Sequence, residues 1–277
     1  MSSAPLATRG PGLRAMLAAL ARARARHARV RPHRGLVRVE AGPYLVQAVL
    51  LPALFCGLLL RFEPEIVAFW SEAILALAAP LDLPLRASAR QAGWGEVRLV
   101  WLYLATDTLL PAARELWLHG IATVAVFAVT FLLPAARLPL RYFLRLLCAV
   151  HATALAFFAW APAPFPYGVA DHVLALTGAG YVLLLSIPPM LAIGYYVLRV
   201  SLAGKVLRSA LILVYFLAWI PLQAVLHVAL LQHLTLVVMP LLYFCFGALL
   251  NIFLFIALYA WVASTAPEAA TVPRRRR

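Results

Sequence analysis

The sequence predicts an all-α, polytopic transmembrane helical bundle of six spans, with a small extracytoplasmic cap between spans 1 and 2. Three observations carry this. Hydrophobic residues make up 65% of the 277-residue chain and charged residues only 12%, with a mean hydropathy of +0.91; a soluble domain carries roughly 25% charged residues. Several apolar runs reach about 20 residues, the length of helix that crosses a hydrocarbon core. The charges are also sorted. Of the 24 Lys and Arg, nine precede residue 43, four close the chain as Arg274 to Arg277, and Arg137, Arg141, Arg145, Arg199, Lys205 and Arg208 cluster around two short loops. All of these fall on one side of a six-span topology, as the positive-inside rule requires.

That distribution decides what the +14 net charge means. A basic chain suggests nucleic acid, but here the basic residues flank apolar spans, so no nucleic-acid partner is expected. The expected partners are the lipid bilayer, anionic headgroups and other membrane proteins. Arg outnumbers Lys 23 to 1 and Ala is abundant, which points to a high-GC bacterial coding sequence. The expected location is therefore the bacterial inner membrane, with both termini cytoplasmic.

Residues 1–42 form a basic cytoplasmic segment in which Leu13, Met16, Leu17 and Leu20 recur at helical spacing ahead of an Arg-rich run. It reads either as an amphipathic helix on an anionic leaflet or as a disordered topogenic tail. The transmembrane domain is expected over 43–263 and a basic cytoplasmic tail over 264–277. The first span, about 43–61, follows too long a basic segment for a cleaved signal peptide and reads as an uncleaved anchor.

Residues 62–115 are the expected cap. Their first part reads as an amphipathic interfacial helix with Trp70 at the headgroups. Their second alternates around "AGWG", with Leu85, Ala87 and Ala89 on one arm and Val97, Leu99, Trp101 and Tyr103 on the other, as in a β-hairpin. The alternative is two further spans, eight in all, but these would bury Glu72 and Asp107 in the bilayer at a cost.

The remaining spans are expected at about 116–134, 142–161, 173–198, 209–232 and 235–263. Pro188 and Pro189 remove two backbone donors from the fourth, so a break or bend is expected there. The loops are too short for a nucleotide-binding domain and no GxxxxGK[ST] motif occurs, which excludes ATP-driven transport by this chain alone.

Polar residues within spans turn toward the bundle interior. Tyr215, Trp219, Gln223 and His227 recur every four residues on the fifth span and so share a face. Tyr243, Gly247 and Asn251 do the same on the sixth, His119, Thr123 and Thr130 share one face of the second, and Cys148 lies one turn before His151 on the third. Counted from the helix ends, His119 and His227 lie at equal depth, which makes them the expected pair, with Gln223 and His151 as further candidates for holding a cofactor. Two neutral imidazoles can ligate haem or a divalent metal, although HExxH, CxxCH and the paired ExxH pattern are absent. The alternative is that these groups serve only as hydrogen-bonding helix contacts, worth on the order of 1 kcal/mol each.

Cys56 near the end of the first span, followed by Arg61, raises a nucleophile reading, because a nearby cation favours the thiolate. Asp171–His172 reads as a helix start, with Asp171 as an N-terminal acid. Cys56, Cys148 and Cys245 lie in separate apolar runs, with no CxxC pair and no disulfide framework. Three functional classes are left. The first is a non-catalytic subunit or scaffold of an envelope export or sorting machine. The others are a small permease or carrier, and a membrane-embedded enzyme or redox protein using a histidine cluster on the outer side.

Overall fold

The computed structural model describes residues 41–94, 97–105, 110–161, 165–195, 198 and 200–265. The expected amphipathic N-terminal segment, the terminal arginines, Asp107, Arg199 and the Gly95 turn lie outside the described residues. Among the described residues, besides two short 3₁₀ turns, seven helices and one hairpin follow in order: α1 (Ala41–Arg61), α2 (Glu63–Ala78), β1 (Arg86–Trp94), β2 (Val97–Ala105), α3 (Ala113–Leu132), α4 (Leu138–Trp160), α5 (Val169–Gly194), α6 (Leu202–Leu234) and α7 (Leu236–Ser264). Within α7, the first turn is 3₁₀ and Leu242–Leu249 is a π-helix.

This is an all-α membrane bundle. Six described helical stretches are long and apolar enough to cross a membrane: Glu63–Leu81, Ala113–Leu132, Ala135–Trp160, Val169–Gly194, Leu202–Leu234 and Leu236–Ser264. The set differs from the expected one at its start. The stretch Glu63–Leu81 qualifies, while α1, a helix of 21 residues, is described as apolar over the shorter Leu45–Arg61. Residues 86–105 are an antiparallel hairpin, pairing Arg86 with Ala105 and Trp94 with Val97. A helical span there, needed for the eight-span alternative, is therefore excluded.

The ends of the bundle are called upper, where Trp160, Gly168 and Leu234 lie, and lower, where Arg137, Gly194 and Leu202 lie. Helices α1, α5, α6 and α7 alternate in direction. At the lower end Lys205 Nζ donates to Gln47 Oε1 (2.8 Å) and Arg208 donates to the carbonyls of Val262 and Thr265. Midway, Gly180 packs so closely on Ile220 that a Cβ there would lie 2.8 Å from Ile220 Cδ1. Leu184, Ile187 and Leu191 on α5 and Ile212 and Phe216 on α6 are fully buried. Helix α6, with 33 residues, is about 50 Å long at 1.5 Å per residue, well beyond a hydrocarbon core of ~30 Å.

Pro188 and Pro189 do not break α5, which runs through them to Gly194. The carbonyl freed by Pro189 finds another donor. A proline leaves the carbonyl four residues earlier without its helical donor. For Pro189 that carbonyl is Leu185 O, and Cys56 Sγ donates to it (3.4 Å). Pro221 in α6 frees Leu217 O in the same way, and Trp70 Nε1 donates to that one (2.9 Å). Tyr181 in turn donates to Leu59 O (2.9 Å), near the C-terminus of α1 where carbonyls lack helical partners. Side chains from neighbouring helices thus replace missing backbone donors, which a bilayer demands.

Trp70 is consequently in the core, 2% exposed, and not at the headgroups. Val67, Trp70, Ile74 and Ala78 form one buried stripe of α2 at helical spacing. Leu59 and Trp70 both meet Tyr181, and α2 packs mainly on α6. Strand β2 packs on α5 and on α2.

Helices α3 and α4 form a separate antiparallel hairpin. Arg145 Nε donates to Thr130 Oγ1 (3.1 Å) and its guanidinium lies over the rings of Phe127 and Phe131. Arg141 donates to Leu133 O and closes the lower turn. Helix α3 packs mainly on α4, and its other flank, with Trp117, Ile121, Val124 and Phe131, is exposed. The hairpin joins the main bundle through α4, against the first turns of α7.

Candidate functional site

The i, i+4 stripe on α6 produces a line of hydrogen bonds between α6 and α7. Trp219 Nε1 donates to Asn251 Oδ1 (2.9 Å), and Asn251 Nδ2 donates to Gln223 Oε1 (3.1 Å). Gln223 Nε2 donates to the Phe246 carbonyl, which lies inside the π-helix. His227 hydrogen-bonds to that same carbonyl. A π turn reroutes backbone bonding and recurs at functional sites; here it presents one carbonyl to two side chains of the neighbouring helix. Gln223 and His227 are each 1% exposed.

The line continues to α5. His172 Nε2 and His227 Nδ1 are 3.0 Å apart, with the rings stacked at 30° and centroids 5.3 Å apart. The tautomers follow from the partners. A carbonyl only accepts, and Nδ1 of His227 faces His172, so Nε2 of His227 carries the proton given to Phe246. His227 Nδ1 then accepts from His172 Nε2–H, and Nδ1 of His172 is left as an acceptor. The line has a direction and ends in a lone pair on His172.

His172 forms part of the wall of a cavity of about 430 Å³ at the upper end. Phe165, Tyr167, Tyr243 and Phe244 supply aromatic walls, and Asp171 lies beside His172. Tyr167 and Phe244, 60% and 59% exposed, form the rim. The Tyr243 ring meets His172 edge-on at 6.0 Å. Asp171 Oδ2 accepts from Gly168 N (2.8 Å), so the expected helix-starting role of Asp171 is observed as well. The turn between α6 and α7 is strained: Thr235, buried and β-branched, has φ 61°, and its hydroxyl is without a partner.

The expected pairing of His119 with His227 is not the one formed. His119 Nδ1 lies 3.3 Å from His151 Nε2 within the α3–α4 hairpin, whereas His227 meets His172. Equal depth does not make two helices neighbours, and α3 packs mainly on α4. In the hairpin pair, Nδ1 of His151 is buried without a partner and Cys148 donates to Thr123 O at 3.7 Å. Among the described residues no three His, Cys, Asp or Glu side chains converge on one metal position. Cys56, the candidate nucleophile, is engaged with the Leu185 carbonyl between α1 and α5, and Arg61 points outward with its guanidinium over Phe62.

Two features were missed from sequence. One is His172 as the partner of His227, which only the α5–α6 packing reveals. The other is a polar cluster at the lower end, where buried Lys205 meets Gln47 and Tyr195 OH lies 3.1 Å from Ser209 Oγ. The lone Gln47 in an otherwise apolar run was its only mark in the sequence. No family model, curated protein or solved structure matches this chain.

Proposed function

We propose that this multi-pass integral membrane protein is a binding subunit that takes a small amphipathic ligand into the upper cavity, with the His172–His227 pair as its buried polar backing. The single observation behind this reading is that the hydrogen-bonded line is one-ended. It begins at Trp219 and Asn251 in mid-bundle and ends at the cavity, while Ile212, Leu213, Phe216, Phe255 and Val262 fill the core below it. A site open at one end suits binding better than passage, which favours a subunit over a permease. Of the residues expected to hold a cofactor, His227 and Gln223 belong to this site and His119 and His151 stand apart from it.

The finer reading is a non-catalytic subunit of a bacterial envelope export or sorting machine, placed in the inner membrane with both termini cytoplasmic. The convergence of Arg137, Arg141, Arg145, Lys205 and Arg208 on the lower end supports a cytoplasmic lower face. The upper cavity then faces the extracytoplasmic side.

Filling the cavity tests the binding role. In Ala175→Trp an indole occupies the space beside His172 without touching the hydrogen-bonded line. Mass spectrometry of the protein purified in mild detergent is expected to find a small molecule retained by the wild type and lost from the variant. Equal retention by both would contradict the proposal.

A further inference from the structure

We infer that the ligand of the upper cavity is an organic cation, a primary or quaternary ammonium carried on a compact apolar body. This rests on the binding role proposed above and adds the chemical class.

Asp171 and His172 in the cavity wall present a carboxylate and a lone pair, which complement a cation. Asp171 brings a carboxylate of which one oxygen is engaged with Gly168 N. His172 brings a ring whose Nε2–H is committed to His227, leaving Nδ1 as an acceptor. Among the described residues no Lys or Arg lines the cavity, so no cationic side chain there answers an anion. Four aromatic rings complete the walls, and aromatic faces attract cations, most strongly where water is excluded. One carboxylate within an aromatic enclosure is the arrangement that recognises alkylammonium groups. The volume, about 430 Å³, lies in the lower part of the range for small-molecule sites.

An ammonium of this kind can belong to a free amine or to the headgroup of an ethanolamine or choline lipid. The two share the chemistry and differ in whether the bilayer itself supplies the ligand.

The test measures binding of benzyltrimethylammonium, its neutral tert-butyl isostere and benzenesulfonate to the full-length protein in phosphatidylglycerol nanodiscs, by calorimetry. The ammonium is expected to bind about tenfold or more tighter than the isostere. In Asp171→Asn, which keeps the capping oxygen but loses the charge, that preference should collapse while weak binding of both compounds persists. Ala175→Trp should abolish binding altogether. Equal or tighter binding of the neutral or anionic probe, lost in Ala175→Trp, would overturn the cation assignment and leave the binding role intact. Binding of no probe, or binding that Ala175→Trp does not affect, would overturn both. Adding phosphatidylethanolamine to the nanodiscs assigns the source: competition with the ammonium probe identifies the lipid headgroup, and unchanged binding a free amine.

Discussion

His172 with His227, and His119 with His151, are chemically the same couple, with ring nitrogens 3.0 and 3.3 Å apart. Their surroundings set them apart. The first pair sits where three helices meet, with His227 committed to the Phe246 carbonyl as well, at the end of a line that reaches a cavity. The second sits between two helices, with Nδ1 of His151 buried and unsatisfied and His119 only half-buried. A histidine pair inside a bilayer is thus not a site by virtue of being a pair. What makes one is a network that fixes its tautomers and a space where the remaining lone pair can be used.

The sharpest way to break this contrast is to strain each region at a glycine. Gly180→Leu drives a side chain into Ile220, whereas Gly120 on α3 has nothing within 4 Å of an added Cβ. Overpacking costs about 1–3 kcal/mol or more, so Gly180→Leu should markedly lower the unfolding midpoint in detergent and Gly120→Leu should leave it nearly unchanged. Similar losses in both would mean that the hairpin is as tightly packed as the core.

Next in size are the polar networks. Gln223→Leu strands the Asn251 amide and removes one donor from Phe246 O, for a cost of about 1–3 kcal/mol. His151→Leu removes an imidazole that is already half-satisfied, so its effect should stay within about 0.5 kcal/mol of zero or stabilise. Chemical unfolding of the two variants side by side checks this, and the reverse order would exchange the roles assigned to the two pairs.

The smallest effect probes how the core tolerates its prolines. Trp70→Phe deletes the donor to Leu217 O and should cost about 1 kcal/mol. In a Pro221→Ala background the restored backbone N–H serves that carbonyl, so the same substitution should cost distinctly less. A double-mutant cycle reads the difference, and additive effects would show that Trp70 acts only through packing.

Much of the core region was legible in the sequence, because a bilayer makes composition and spacing speak directly. Apolar runs marked α3 to α7 within about four residues, apart from the start of α6 at Leu202, seven residues earlier than expected, and the four-residue spacing of Trp219, Gln223 and His227 put them on one face. The "AGWG" hairpin was legible from alternation. What the sequence hid was lateral order. Counting residues from helix ends gives depth, and depth made His119 and His227 look equivalent, but helix neighbours are chosen by packing surfaces such as Gly180 on Ile220. Proline's consequences were hidden for the same reason: Pro189 reads as a helix breaker until Cys56 is found opposite Leu185 O. The π-helix left no mark at all, since "LYFCFGAL" is as apolar as its flanks.

The binding of benzylammonium, whose N–H groups can donate to His172 Nδ1, to His172→Leu and His151→Leu compares the two pairs most directly. If the upper cavity is the site, His172→Leu weakens binding by about tenfold, the value of one hydrogen bond to a charged group, and His151→Leu leaves it unchanged. Equal losses in the two variants, or a loss confined to His151→Leu, would contradict the assignment.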